Sequence, residues 1–124
     1  LAAHPCVRRT MHPSLPGADP LGLLGRQLGG PGAVLAFDVG DATAARAVMG
    51  RLSLVTVAVS LGSVDTLIQH PASLTHRVVS DEGRAQGGVS PGLLRLSVGL
   101  EDPEDLWADL DQALACLHGQ AAAK

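Results

Sequence analysis

Lysine is almost missing from this chain: of nine basic residues only Lys124 is lysine, and it is the last residue. No internal lysine is therefore available to form a Schiff base with a carbonyl compound. Aromatic residues are as scarce, Phe37 and Trp107 being the only two, so the core must be built from Leu, Val and Ala. Each buried Leu in such a core contributes roughly 1.5–3 kcal/mol. The net charge of −3 is modest and the arginines are scattered, which leaves no basic stripe for nucleic acid. No apolar run reaches the ~20 residues that cross a bilayer, so no membrane span is expected. Leu1-Ala-Ala-His-Pro also lacks the charged start and apolar stretch of a secretory leader. Cysteine is limited to Cys6 and Cys116, near the two ends; two free thiols are the expectation and a single disulfide the alternative. Metal-ligand spacing is wanting too. His70 and His76 fit no helical pair, His4 and His12 add no pattern, and Cys-x-x-Cys does not occur, so no metal is expected.

What is present suits one domain of 124 residues with 46% hydrophobic composition. Five of the eight prolines fall within residues 5–31 and keep elements there short. Val7–Met11 reads as a short edge strand. A helix over Pro20–Leu28 is allowed, with Asp19 as cap and Gly29 as stop. Ala33–Val39 is an apolar strand closed by Gly40. From Asp41 a helix follows, with Ala45, Val48, Met49 and Leu52 on one face. Leu54–Ser60 alternates as a strand, residues 63–69 read as a turn of helix, and Thr75–Val79 as another strand. Asp81–Gln86 makes a helical turn and Gly92–Val98 a central strand. In the last helix Asp102 caps, Pro103 takes the first position, and Leu106, Leu110, Leu114 and Leu117 form the apolar stripe. Gly119 ends it, and 120–124 fray. The sum is an α+β domain: a small, mainly antiparallel sheet with helices on one face.

Arg95 stands alone in the apolar strand among Leu93, Leu94, Leu96 and Val98. A buried guanidinium without a partner is costly, and its planar fork suits a carboxylate through two parallel bonds. The alternative is a solvent-facing position, since alternation puts Leu93, Arg95 and Ser97 on one side. Ser60 ends its strand before Leu61-Gly62. No Ser-His-Asp arrangement and no Gly-x-Ser-x-Gly motif accompany it, so an ordinary strand-end serine is the simpler reading. Glu101, Asp102, Glu104 and Asp105 form an acidic patch that helix capping explains more simply than acid–base catalysis.

Two stretches carry a resemblance: Ser60-Leu-Gly-Ser-Val-Asp-Thr-Leu-Ile-Gln-His-Pro-Ala-Ser-Leu-Thr75-His, and Leu94-Arg-Leu-Ser-Val-Gly-Leu-Glu101-Asp-Pro-Glu-Asp-Leu106. They resemble the C-terminal domain of the cystathionine/methionine γ-lyase family, the pyridoxal-phosphate (PLP) enzymes of Cys/Met metabolism. His4-Pro-Cys-Val7, His12-Pro13-Ser-Leu-Pro16, Arg26-Gln27 and Gly32–Phe37 extend the likeness over almost the whole chain, read as one small domain, residues 1–124. Leu74 stands where the family usually has Met, a volume-conserving swap. The resemblance implies that Arg95 grips the α-carboxylate of an amino-acid substrate, and that Ser60 and Thr75 line the site. Val59, where cystathionine-directed lyases typically carry Glu, suits an uncharged thioether and points to methionine γ-lyase.

The same resemblance implies PLP as cofactor, acting as electron sink while a thiol is eliminated from the γ-carbon to leave a 2-oxo acid and ammonia. The family's Schiff-base lysine, phosphate-binding glycines and cofactor-stacking tyrosine have no counterpart here. The expectation is thus a fragment, beginning at Leu1 rather than Met, with no catalytic residue of its own and no activity alone. An intact cytoplasmic homotetramer acting on methionine or cystathionine is implied. The same scaffold serves O-acetyl- and O-succinylhomoserine sulfhydrylases, the first alternative. A stand-alone, non-catalytic domain that binds a small carboxylate or a partner protein is the second.

Overall fold

The computed structural model describes residues 1–117. In chain order they form β1 (Arg9–Met11), β2 (Val34–Asp38), α1 (Ala42–Met49), β3 (Thr56–Val57), β4 (Leu67–Gln69), α2 (Asp81–Gln86), β5 (Leu93–Ser97) and α3 (Pro103–Ala115). The strands make one sheet in the order β1-β2-β5-β4-β3, antiparallel throughout except for the parallel β3–β4 pair. β5 lies at its centre, paired from Leu93 opposite Asp38 to Ser97 opposite Val34 on one side, and with β4 on the other.

One face of this sheet is the core. Phe37, Ile68, Leu94 and Leu96 meet Ala44, Ala45 and Val48 of α1 and Leu106, Leu110, Ala113 and Leu114 of α3, all buried. With so few aromatics, the alanines of α1 allow close approach, and Phe37 is the largest fully buried side chain among leucines and valines. Both helices begin as their sequences predict. Asp41 accepts hydrogen bonds from the Thr43 and Ala44 N–H groups, and Asp102 from Glu104 N, just before Pro103. α2 buries nothing and sits at the margin.

Four expectations are corrected. Pro20–Leu28 is a set of turns, not a helix, because Gly22 and Gly25 take φ of 60° and 79°, incompatible with a right-handed helix. Asp19 still caps, its carboxylate accepting from Leu23 and Leu24 N, and these bonds hold its pKa down. Residues 63–69 are not a turn of helix: Leu67–Gln69 is β4, buried on both faces, and its backbone groups pair with β3 on one side and β5 on the other. Thr75–Val79 forms successive turns rather than a strand, with His76 N donating to Pro71 O and Val79 N to His76 O. The expected 54–60 strand shrinks to Thr56–Val57. The expected helix end at Gly119, the frayed tail and Lys124 lie outside the described residues.

Cys6 and Cys116 are free and half-buried. Burial pushes the Cys6 thiol pKa up, and the nearby Cys116 adds to the rise. None of the described helices is long and apolar enough to cross a membrane.

Candidate functional site

Side chains alternate across a strand, so the residues between the core positions point to the opposite face of the sheet. That face carries Leu67 and Gln69 from β4, and Leu93, Arg95 and Ser97 from β5. Leu67 and Leu93 are buried, yet neither belongs to the core beneath the helices. The connection between β3 and β4 reaches this face. It passes over the sheet, and Gly62 N donates to Ser97 Oγ at 3.0 Å.

Arg95 is therefore half-buried rather than solvated. Its Nη2 donates to the carbonyl oxygen of Ser60 at 2.7 Å, which ties the β3–β4 connection to the sheet. Its Nε–H is buried without a partner. No carboxylate of the described residues pairs with it; the ion pairs found there are His4–Asp111 and Arg84–Asp81. A positive charge is thus held partly out of water, with Nη2 bonded to a backbone carbonyl and Nε–H unpaired among the described residues.

Of the other residues singled out in the sequence, Ser60 sits beside Arg95 through that carbonyl, with its own residue exposed. Val59 precedes it and is 61% exposed. Thr75 is exposed in the turns after β4, and its Oγ1 lies 2.9 Å from His76 Nδ1. No hydrogen bond among the described residues joins it to Arg95. Arg95 and Ser60 are brought together; Thr75 is not bonded to them.

The surroundings are held by groups whose positions the sequence disguises. Thr66 is wholly buried: its hydroxyl donates to Glu101 Oε2 and accepts from Gly99 N, while its own N–H donates to Glu101 Oε1. Glu101 is thus a clamp on β4, not a helix cap, and the Thr66 hydroxyl, followed by its backbone N–H, holds the carboxyl below its usual pKa. Gly99 is required there, because a Cβ would strike the Val64 carbonyl oxygen and the Asp65 backbone. His70, 1% exposed, bridges two segments. Its Nε2 lies 2.7 Å from the Pro91 carbonyl oxygen, to which it can only donate, and its Nδ1 lies 2.7 Å from the Ser73 hydroxyl. Among the described residues no group of three or more His, Cys, Asp or Glu side chains is arranged to hold a metal ion.

Gln69 was passed over. It lies directly opposite Arg95 in the β4–β5 pair, is 1% exposed, and its Oε1 has no partner. The signal existed in the Leu-Ile-Gln-His run, but reading 63–69 as helix hid its register. Asp109 was missed too. From α3 it accepts from Ser53, Leu54 and Val55 N, the three residues just before β3. Burial raises the Asp109 pKa, yet the three N–H donors outweigh it and the net shift is down.

A family profile described as Cys/Met metabolism PLP-dependent enzyme matches residues 1–115. L-methionine gamma-lyase of Brevibacterium sandarakinum is 54% identical over 115 residues, which are 92% of this chain and 28% of that protein. Cystathionine gamma-synthase of Escherichia coli (strain K12) is 46% identical over 90% of this chain and 29% of its own length. Cystathionine gamma synthase of Xanthomonas oryzae pv. oryzae, solved in complex with cystathionine, superposes with a TM-score of 0.85 at 43% identity, over 93% of this chain and 30% of that one. The chain therefore spans under a third of the length of these relatives. On the extent of the profile match and these identities, the chain belongs to the Cys/Met metabolism family of PLP-dependent enzymes.

Proposed function

We propose that this chain is the C-terminal domain of a PLP-dependent carbon–sulfur lyase acting on methionine, and that Arg95 binds the α-carboxylate of the substrate. The observation that carries the reading is the half-buried guanidinium with one nitrogen fixed to Ser60 O and no carboxylate partner of its own. A planar donor fork held at one corner accepts a carboxylate in two parallel bonds with little further loss of freedom. Ser60 and Thr75 line the same site, and Val59 faces the thioether end. The described residues contain no lysine, so they do not fit as a covalent anchor for PLP. Electron-sink chemistry belongs to the cofactor, and this chain contributes binding and orientation. The 124-residue chain alone is inactive in this reading: mixed with PLP it develops no stoichiometric protein-bound visible band.

The methionine assignment draws support from likeness to L-methionine gamma-lyase. A second reading, γ-replacement by an incoming thiol, is favoured by the 46% identity to a cystathionine gamma-synthase. Supplying a homoserine ester with and without cysteine separates the two by the product formed. The test of the clamp uses the full-length protein carrying this sequence. Arg95→Ala raises KM on the order of ten- to a hundred-fold, the equivalent of one lost charge-assisted contact of about 1.5–3 kcal/mol. Arg95→Lys restores only part, since an ammonium cannot meet both oxygens. Equal kcat/KM for wild type and Arg95→Ala overturns the proposal.

A further inference from the structure

Two polar atoms on the site face of the sheet are buried and unpaired, and they are complementary: Gln69 Oε1 can only accept, and Arg95 Nε–H can only donate. They belong to residues that face each other directly across the antiparallel β4–β5 pair. Directly opposed residues share one face, with Cβ atoms about 4.5–5.5 Å apart. On the other flank of Arg95 the register places Ala36, which offers no polar atom, and beyond it Met11. Among the described residues, Gln69 is the only other hydrogen-bonding side chain in that rung. Leaving both atoms unmet is costly, and a modest rotation of two side chains removes both costs at once.

We infer that Gln69 is a positioning residue for Arg95, its carboxamide oxygen accepting the Nε–H so that the two terminal nitrogens face the substrate carboxylate. The inference rests on the reading of Arg95 as the carboxylate clamp. With Ser60 O on Nη2 and Gln69 Oε1 on Nε, the guanidinium is held at two points, and two points fix the plane of the fork. Its end then presents Nη1 and Nη2 as a pair, the edge that meets both oxygens of a carboxylate. A guanidinium held only by Ser60 O would swing about that bond.

The test is a double-mutant cycle in the full-length, PLP-loaded protein, with Gln69→Met, Arg95→Lys and the pair of them. Methionine conserves the volume of glutamine and removes the acceptor. Gln69→Met is expected to raise KM for the amino acid about ten-fold, with kcat within about two-fold of wild type. In the Arg95→Lys background it is expected to add almost nothing, because the Nε–H is already gone. An unchanged KM, or the same cost in both backgrounds, overturns the role of Gln69 while a raised KM in Arg95→Lys leaves the clamp standing. If Arg95→Lys itself leaves KM unchanged, the clamp falls and this inference with it. Should Gln69→Met not fold, Gln69→Glu keeps an acceptor but offsets the guanidinium charge. Its KM, relative to wild type at each pH, then falls as the introduced carboxylate protonates. A ratio flat with pH overturns the inference.

Discussion

The two faces of the sheet are built to opposite specifications. Beneath α1 and α3, Phe37, Ile68, Leu94 and Leu96 close a dry apolar core. On the other face, rows of the same strands carry Arg95, Gln69 and Ser97 under a loop that touches down through hydrogen bonds at Ser60 and Gly62. One residue of offset along β5 separates a side chain packed in the core from a half-buried guanidinium with no carboxylate partner among the described residues. Apolar packing and polar side chains are thus assigned to alternate positions of a single strand, and the core on the first face lets the second keep two unpaired polar atoms without unfolding the domain.

The sharpest way to break that comparison is to truncate one residue on each face. Phe37 is fully buried, and Phe37→Ala is expected to cost about 3–5 kcal/mol, read as a drop in the denaturation midpoint. Arg95→Leu, in the next rung and on the other face, should leave stability within about 0.5 kcal/mol of wild type, or raise it, while binding is lost. Comparable losses of stability from both would show that the faces are not specialised.

Asp109 is the exception on the helix side: a buried carboxylate whose three N–H partners sit at the mouth of β3. Asp109→Ala leaves those donors to find water and should cost about 3 kcal/mol. The pH dependence follows from the sign of its shift. The folded pKa lies below the ordinary value of 3.8, so the contribution is complete above that value and is lost as pH falls through the lower folded one. Glu101, also depressed from its ordinary 4.5, adds to acid lability in the same direction. Denaturation midpoints measured from pH 6 to pH 2 should fall less steeply in Asp109→Asn than in wild type. Identical slopes would mean that Asp109 does not carry the acid sensitivity.

How much of this was legible depended on whether a residue's role is local. Asp41, Asp102 and Pro103 act on their own helix termini, and each could be read from its neighbours. Arg95 was visible because a lone charge in Leu93–Leu96 violates the strand's pattern. Roles that arise across the fold were hidden. Asp109 falls on the apolar stripe of α3 and looks like an ordinary polar interruption; its partners are more than fifty residues away. Thr-Leu-Ile-Gln reads equally as short helix or strand, because a segment buried on both sides shows no period. Its identity as β4 is decided by Glu101 and by pairing with β5. Missing that strand meant missing Gln69. The glycines at 22 and 25 show the converse, where turn chemistry overrode an acceptable cap at Asp19.

Gly99 links the two specifications, since it lets the Val64–Asp65 segment lie against the end of β5. Gly99→Ala forces backbone apart and should cost about 1–3 kcal/mol. Because that segment continues into the loop over Arg95, KM should rise with it. A variant that loses stability with KM unchanged would separate the loop's anchoring from the site.

The smallest expected effect tests which substrate the site face was shaped for. Val59 stands next to Ser60, apolar and 61% exposed. A methionine thioether placed there is uncharged and loses little, whereas cystathionine brings a distal ammonium and carboxylate that gain no partner from valine. Val59→Glu supplies a carboxylate for the ammonium. At so exposed a position solvent screens the pair, and such pairs are worth about 0.2–1 kcal/mol, which limits the shift to about five-fold in relative kcat/KM. The measurement is kcat/KM for methionine and for cystathionine in the full-length wild type and variant, at two salt concentrations. A shift toward cystathionine that shrinks at high salt is the expected result. A wild type that already prefers cystathionine by a wide margin, with a ratio unmoved by Val59→Glu, would remove the methionine assignment and leave Arg95 as the part of the site that stands on its own geometry.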